Sequence, residues 1–290
     1  MLFCPEGAMP STNSTSTYPI CPAALPGGVA VTGSRRRSFT FRDPTGELEV
    51  WILEMPARVT PASVTMLLSR ALAEVGGEEV TSQIIEGLCV ADRQYLLRAL
   101  LIELGQNKLW VTATCAGCGK LFDAQVVLSE LPVREAVEYP ETGVNTSLGR
   151  LRVRVPNGAD QAAIAALDPD HALRALAARI VVGVENGSGL AAWDGGDFGA
   201  EDIAAMGERM DEVFPAIDNR VQAVCPDCGC VGTLDVAPLR LLRRTASSLF
   251  PDVDILARHY HWSESEILRL PCRRRMRYVH YLDRARGFVA

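Results

Sequence analysis

Apolar residues follow helical spacing in some stretches of the chain and strand-like alternation in others. Five leucines between positions 96 and 104 fall on one helical face, which predicts a helix over residues 92–104. Thr60 and Pro61 form an N-cap with proline at the first helical position, and they predict a second helix that runs to about Val75. Residues 38–41 and 48–53 alternate, so we expect two strands joined by a turn at residues 43–46.

One arrangement occurs twice: a strand, a tight turn with two cysteines, and another strand. It covers residues 109–128 and again residues 220–236. Residues 151–155 between them predict a strand, and helices are expected near residues 160–166, 168–182 and 200–213. The pattern therefore predicts a pair of β-hairpins separated by a helical insertion.

The two ends of the chain differ from this central part. Residues 1–34 are rich in Pro, Ser and Thr without apolar periodicity, so we expect a disordered N-terminal arm. After Val236 the pattern is helical, with a capping box at Ser263 and Glu266 and a last helix starting at Pro271. We expect an α+β body over residues 35–239 and a basic helical appendage over residues 240–290.

The composition is that of a globular chain. The 290 residues are 48% hydrophobic and 22% charged, which excludes disorder over the whole length. The longest apolar runs are too short to cross a bilayer, and the N-terminus lacks the pattern of a secretory signal. We therefore expect a cytoplasmic protein without a membrane partner.

Charge is divided unevenly along the chain. Residues 240–290 hold eleven Arg and five acidic residues, a net charge of +6, and the total of −6 leaves −12 for residues 1–239. Such a basic segment can dock on an acidic partner or on nucleic acid. The candidate partner-binding residues are Trp262, Arg273, Arg274, Arg275 and Arg277.

Four of the nine cysteines form two C-x-x-C pairs, Cys115/Cys118 and Cys225/Cys228. In a chain without a secretory signal this spacing indicates metal binding before disulfides. Four thiolates suit a structural Zn²⁺ site with no open coordination position, and a glycine after each pair lets the chain turn around the sulfurs. A redox dithiol is the alternative, and Cys230 has the wrong spacing for a ligand.

Catalytic motifs are missing from the sequence. It contains no phosphate-binding loop, nucleophile elbow, zinc-protease motif or dinucleotide fingerprint. His259 and His261 lie in helical surroundings, where side chains two positions apart diverge. We therefore predict that the protein is not an enzyme and takes no small-molecule substrate.

The order of these motifs resembles a known family. The series runs from residues 91–97 (ADRQYLL) through the two cysteine turns and residues 233–236 (TLDV) to the tail at residues 257–271 and 273–278. Over about residues 38–285 it resembles the baseplate hub and assembly proteins of contractile-tailed, T-even-type bacteriophages and related contractile injection systems. The resemblance implies a structural or assembly protein whose partners are other baseplate or tail proteins, with incorporation into a phage-like particle as one outcome.

A regulatory zinc ribbon that binds nucleic acid is the competing hypothesis. It would place the arginine tail on phosphates and would need a basic, aromatic-rich ribbon face. The cysteine turns and strands instead carry Asp123, Asp227 and Asp235 against Lys120, so we do not expect nucleic acid as the partner.

Overall fold

A computed structural model describes residues 24–31, 33–186 and 189–285. Residues 1–23 and 32, most of the predicted N-terminal arm, lie outside this described part. Within the rest of that arm, Leu25 is fully buried and residues 29–31 form a strand paired with residues 34–36. The folded part therefore begins before residue 35.

The first part of the fold combines short strands with four helices. Its elements are β1 (Val29–Val31), β2 (Ser34–Arg36), β3 (Phe39–Phe41), α1 (Gly46–Glu54), α2 (Pro61–Ala71), β4 (Leu72–Val75), β5 (Glu78–Glu79), α3 (Ser82–Gly87) and α4 (Val90–Glu103). Strands β3, β4 and β5 form an antiparallel sheet, and α4 contributes Leu96, Leu100 and Leu101 to the main core. The predicted helix over residues 92–104 is thereby confirmed.

Two expectations for this part were wrong. Residues 48–53 are helical, because Leu48 and Ile52 lie one turn apart and both enter the core. The helix that begins after Thr60 ends at Ala71, and the chain continues as β4 to pair with β3. The Thr60 cap itself is present, since its side chain accepts a hydrogen bond from the Ser63 amide.

The middle of the chain contains the two hairpins and the segment between them. Its elements are β6 (Lys108–Thr114), β7 (Leu121–Val127), β8 (Val133–Arg134), β9 (Glu141–Thr146), β10 (Gly149–Arg154), α5 (Gly158–Ile164), α6 (Pro169–Ile180), β11 (Val181–Asn186), β12 (Gly189–Ala191), α7 (Ala200–Val213), β13 (Ala216–Ile217), β14 (Arg220–Val224) and β15 (Val231–Asp235). Hairpins β6–β7 and β14–β15 are antiparallel, as predicted.

The segment between the hairpins is α+β and not purely helical. Helices α5, α6 and α7 lie where the sequence predicts them, but β12, β11, β10 and β9 form a four-stranded antiparallel sheet in that order. Leu151 and Val153 of β10 pack with Ile180, Phe198 and Met206 in a core separate from the main one. We call residues 141–213 the insertion module.

The part of the chain described up to residue 285 ends in helices, as the sequence predicts. They are α8 (Pro238–Ala246), α9 (Leu249–Tyr260), α10 (Glu264–Leu268) and α11 (Cys272–Ala285). Helix α8 packs on α1 and α4, whereas α9, α10 and α11 share a small core around Leu256, Ile267 and Leu282. The capping box of Ser263 and Glu266 is present at the start of α10.

The whole is an α+β fold with small antiparallel sheets. Among the helices of the described residues, none combines the length and apolar character that a membrane span requires.

Candidate metal centre

Each C-x-x-C pair lies in the turn at the tip of a hairpin, and the two turns have the same backbone hydrogen bonds. The Cys115 amide donates to the Lys120 carbonyl at 2.8 Å, and the Cys225 amide donates to the Cys230 carbonyl at 2.9 Å. The amide of the glycine after each pair then donates to the carbonyl of the first cysteine, at 2.9 Å in both turns. The sequence repeat is therefore also a structural repeat.

The glycines at 119 and 229 are required by this turn. Both have φ of +73°, a left-handed conformation that side chains with a Cβ rarely adopt. The structure thus confirms the role that the sequence predicts for them.

The four predicted cysteines come together in space. Their Sγ atoms all lie within 4.8 Å of one another. The Cys115 and Cys228 sulfurs are 3.5 Å apart, and the Cys118 and Cys225 sulfurs are 3.8 Å apart. A tetrahedral thiolate shell with metal–sulfur bonds of about 2.3 Å has sulfurs separated by about 3.8 Å. The four thiols therefore fit a single metal ion.

Burial divides the cluster into an inner and an outer half. Cys115 and Cys225 are 5% and 1% exposed and pack with Phe122, whereas Cys118 and Cys228 are exposed. The first cysteine of each pair thus fixes the cluster to the protein, and the second faces solvent.

Hydrogen bonds inside the cluster separate the pKa values of its thiols. The Cys118 amide donates to the Cys115 sulfur and lowers the pKa of that thiol to about 6. At Cys228 the Cys230 amide acts in the same direction, but the neighbouring Cys115 and Cys118 sulfurs outweigh it and raise the pKa to about 12. Four adjacent thiols do not all ionise without a cation among them, and a divalent metal would supply that charge.

The two turns also contact each other through equivalent positions. Lys120 of the first turn forms an ion pair of 3.0 Å with Asp227 of the second. Cys230 is the equivalent of Lys120 in the second turn, and Gly117 is the equivalent of Asp227 in the first. Cys230 packs against Gly117, where an added Cβ would be 3.1 Å from the Cys230 Sγ. Cys230 is outside the group of four mutually close sulfurs. The two turns are therefore related by approximate two-fold symmetry. The contribution of Cys230 is its packing against Gly117.

The candidate partner-binding residues do not form one surface. Arg275 is 1% exposed and pairs with Glu49 at 2.6 Å and with Asp252 at 3.2 Å, so its inclusion in a partner-binding surface was wrong. Arg273 is exposed and pairs with Glu103.

The remaining residues of that set lie beside an aromatic cluster. Trp262 stacks on Tyr260 with ring centroids 4.8 Å apart, and it meets Tyr278 edge to face. The Arg274 guanidinium lies over the Tyr278 ring at 5.8 Å. Arg277 is exposed.

Sequence reasoning missed how deeply some charged groups are buried. Asp92, at the start of the helix predicted over residues 92–104, is fully buried and accepts hydrogen bonds from the Gly27 and Gly28 amides at 2.7 and 2.8 Å. Burial raises the pKa of its carboxyl group. Nothing in the local sequence signals this contact, because its partners are more than 60 positions away.

Comparison with known proteins adds no family to this description. No protein-family model, curated protein or solved structure matches the chain. The functional argument therefore depends on the geometry of the chain itself.

Proposed function

We propose that the four cysteines hold a structural Zn²⁺ ion that joins the two hairpins in a split zinc ribbon. The observation that carries the proposal is the group of four Sγ atoms within 4.8 Å of one another, supplied by two turns of the same geometry. Four thiolates are a ligand set that Zn²⁺ prefers, and they leave no position open for substrate or water. The bound metal would hold the two hairpins together, and its binding free energy would contribute to the free energy of folding.

Such a clamp suits a scaffold. Cys118 and Cys225 are separated by 107 positions, and the insertion module lies between them. Joining the hairpin tips holds both ends of that module next to the main core. We propose that the protein acts through fixed surfaces and not through catalysis.

The biological setting that we propose is a contractile phage-like particle or contractile injection system. The support is the resemblance in the order of motifs, from the helix at residues 91–97 through both cysteine turns to the arginine-rich tail. In this setting the protein is a baseplate or tail component, or a factor that assembles one, and its partners are other proteins of the particle.

Metal analysis of the purified chain tests the zinc proposal. We expect one Zn²⁺ per chain, and Cys225→Ser should lose the metal and lower Tm by about 5–10 °C, because a buried ligand is removed. Cys230→Ser is the matched control and should keep both metal and Tm. A Cys225→Ser protein with full zinc content and unchanged Tm would refute the site.

Electron microscopy of lysates tests the assembly proposal. Deleting the gene should remove or deform the sheathed particles, and immunoblotting of purified wild-type particles separates a component from an assembly factor. Normal particles that lack the protein would contradict this role.

The charges of the hairpins argue against a ribbon that binds nucleic acid. Lys120 is paired with Asp227, and Arg220 is paired with Asp218 at 3.0 Å, so these cations are already neutralised. Salt-dependent binding to random DNA at physiological ionic strength would restore that hypothesis.

A further inference from the structure

Helix α11 has an inner and an outer face of different chemistry. Cys272, Arg275 and Leu282 are buried, which defines the inner face. The outer face combines three exposed arginines with two tyrosines, of which one is 66% exposed. It consists of Arg274, Arg277, Tyr278, Tyr281 and Arg284.

The arginines of this outer face have no acidic partner within the described residues. The ion pairs of α11 in that part of the chain involve Arg273 and the buried Arg275 instead. Arg274 lies over the ring of Tyr278. Arginine and tyrosine are enriched at the energetically important centres of protein interfaces. The face thus has the chemistry of a docking surface for an acidic partner.

Helix α7 of the insertion module presents the complementary chemistry. Asp202, Met206 and Val213 are buried on its inner side. Its exposed stripe has acidic residues at Glu201, Glu208 and Asp211 and small residues at Ala204 and Gly207. In the described part of the chain these three acids form no ion pair, in contrast to Glu212, which pairs with Arg209.

The two exposed stripes have the same spacing. The α11 stripe consists of Arg274 and the residues 3, 4, 7 and 10 positions after it. The α7 stripe consists of Asp211 and the residues 3, 4, 7 and 10 positions before it. Both helices have 14 residues, about 21 Å in length. An antiparallel alignment therefore places each arginine opposite an acid and each tyrosine opposite a small residue. The five pairs are Arg274 with Asp211, Arg277 with Glu208, Tyr278 with Gly207, Tyr281 with Ala204, and Arg284 with Glu201.

We propose that the protein self-associates head to tail, with α11 of one copy packed antiparallel on α7 of the next copy. Both stripes are exposed in the same chain except at Tyr278, which is half-buried against Trp262, so they do not satisfy each other internally. The small residues admit the tyrosine rings, and antiparallel helix dipoles bring opposite partial charges together at each end. Because each copy keeps one free face of each kind, association continues into a ring or a filament.

The contact is short and its ion pairs lie at a rim, so the association is weak and sensitive to salt. It does not depend on the zinc proposal, because neither helix contributes a ligand. A failure of zinc binding and a failure of self-association are therefore distinguishable.

Sedimentation velocity on the full chain, freed of nucleic acid, tests the inference. Wild type should form concentration-dependent oligomers at about 50 mM salt that dissociate at about 500 mM. Arg277→Glu and Glu208→Arg should each weaken association at least about tenfold, because like charges then meet. Mixing the two variants should restore oligomers, because every α11 then finds an α7 of opposite charge in the other variant. The double variant should associate again as wild type does.

Arg258→Glu is the matched control, since Arg258 is an exposed arginine of α9 that lies outside both stripes. It should associate like wild type, and circular dichroism should show that every variant is folded. A wild type that is monomeric at all concentrations in low salt would overturn the proposal. So would oligomers that persist in Arg277→Glu, or an equimolar mixture of the two single variants that stays monomeric.

Discussion

At the scale of single residues, the cysteine turns depend on one backbone conformation. Gly229 has φ of +73°, yet an added Cβ there would meet no atom within 4 Å. The requirement for glycine is therefore conformational and not steric. Gly232, three positions later in β15, also has open space around it but no positive φ. Gly229 and Gly232 therefore differ in backbone conformation but not in the space available for a side chain.

We expect Gly229→Ala to lower the free energy of unfolding by about 1 kcal/mol, because alanine is strained in the left-handed region. Gly232→Ala should be neutral or raise that free energy by about 0.5 kcal/mol, because it restricts the unfolded chain. Urea unfolding of the zinc-loaded proteins measures both. Equal effects of the two substitutions would contradict this account.

At the scale of elements, a buried ion network attaches the last helices to the body. Arg275 of α11 lies between Glu49 of α1 and Asp252 of α9, and the Cys272 thiol donates to the Glu49 carboxylate at 3.0 Å. The Glu49 and Asp252 carboxylates raise the pKa of Arg275, although burial opposes them. Three helices thus meet at one charge that is removed from water.

Replacing Arg275 with Met should cost about 3–5 kcal/mol of stability, because two carboxylates lose their buried cation. Arg258→Met breaks only the exposed pair with Asp254 and should cost less than about 1 kcal/mol. Chemical unfolding, combined with hydrogen exchange in α9 and α11, compares them. An Arg275→Met protein as stable as Arg258→Met would refute the anchoring role.

Elements with strong local signals were predicted from the sequence, and those that depend on distant partners were not. Helices α4 and α7 have their own apolar periodicity, and the hairpins have strands joined by a recognisable turn. The pattern of residues 48–53 is compatible with a strand and with a helix, and burial in the core favours the helix. Strand β4 exists because β3 lies beside it, and the sheet of the insertion module pairs β10 with the more distant β11. Non-local pairings of this kind leave little trace in the local pattern.

The candidate site residues also divide into those with a local sequence signal and those that depend on distant partners. The clustering of the four cysteines was predicted correctly, because the C-x-x-C spacing and the turn geometry are both local. The burial of Arg275 was not, because its partners Glu49 and Asp252 come from two other helices. A run of arginines looks the same in sequence whether its members face solvent or the core.

At the scale of the whole molecule, the protein has more than one core. The insertion module packs around Leu151 and Met206, separately from the core that α4 and the hairpins share. The four-cysteine cluster lies at the hairpin tips. Metal removal should therefore affect the molecule unevenly.

We expect a chelator to remove hydrogen-exchange protection from β6, β7, β14 and β15, because the clamp between their turns is lost. Strands β9 to β11 should keep most of their protection, since their core contains no metal ligand. Mass spectrometry of zinc-loaded and chelated protein makes the comparison by peptide. Equal loss in both regions, or no change in the hairpins, would contradict the clamp.

Because Cys118 and Cys225 are 107 positions apart, the two cysteine pairs are synthesised at different times. At about 5–20 residues per second, the second cysteine pair leaves the ribosome roughly 5–20 s after the first. During that interval Cys115 and Cys118 are half a site, with thiols open to oxidation or to the wrong metal. The insertion module can fold in the meantime on its own core. The first hairpin is therefore the vulnerable half of the proposed metal site in a newly made chain, until the second cysteine pair arrives.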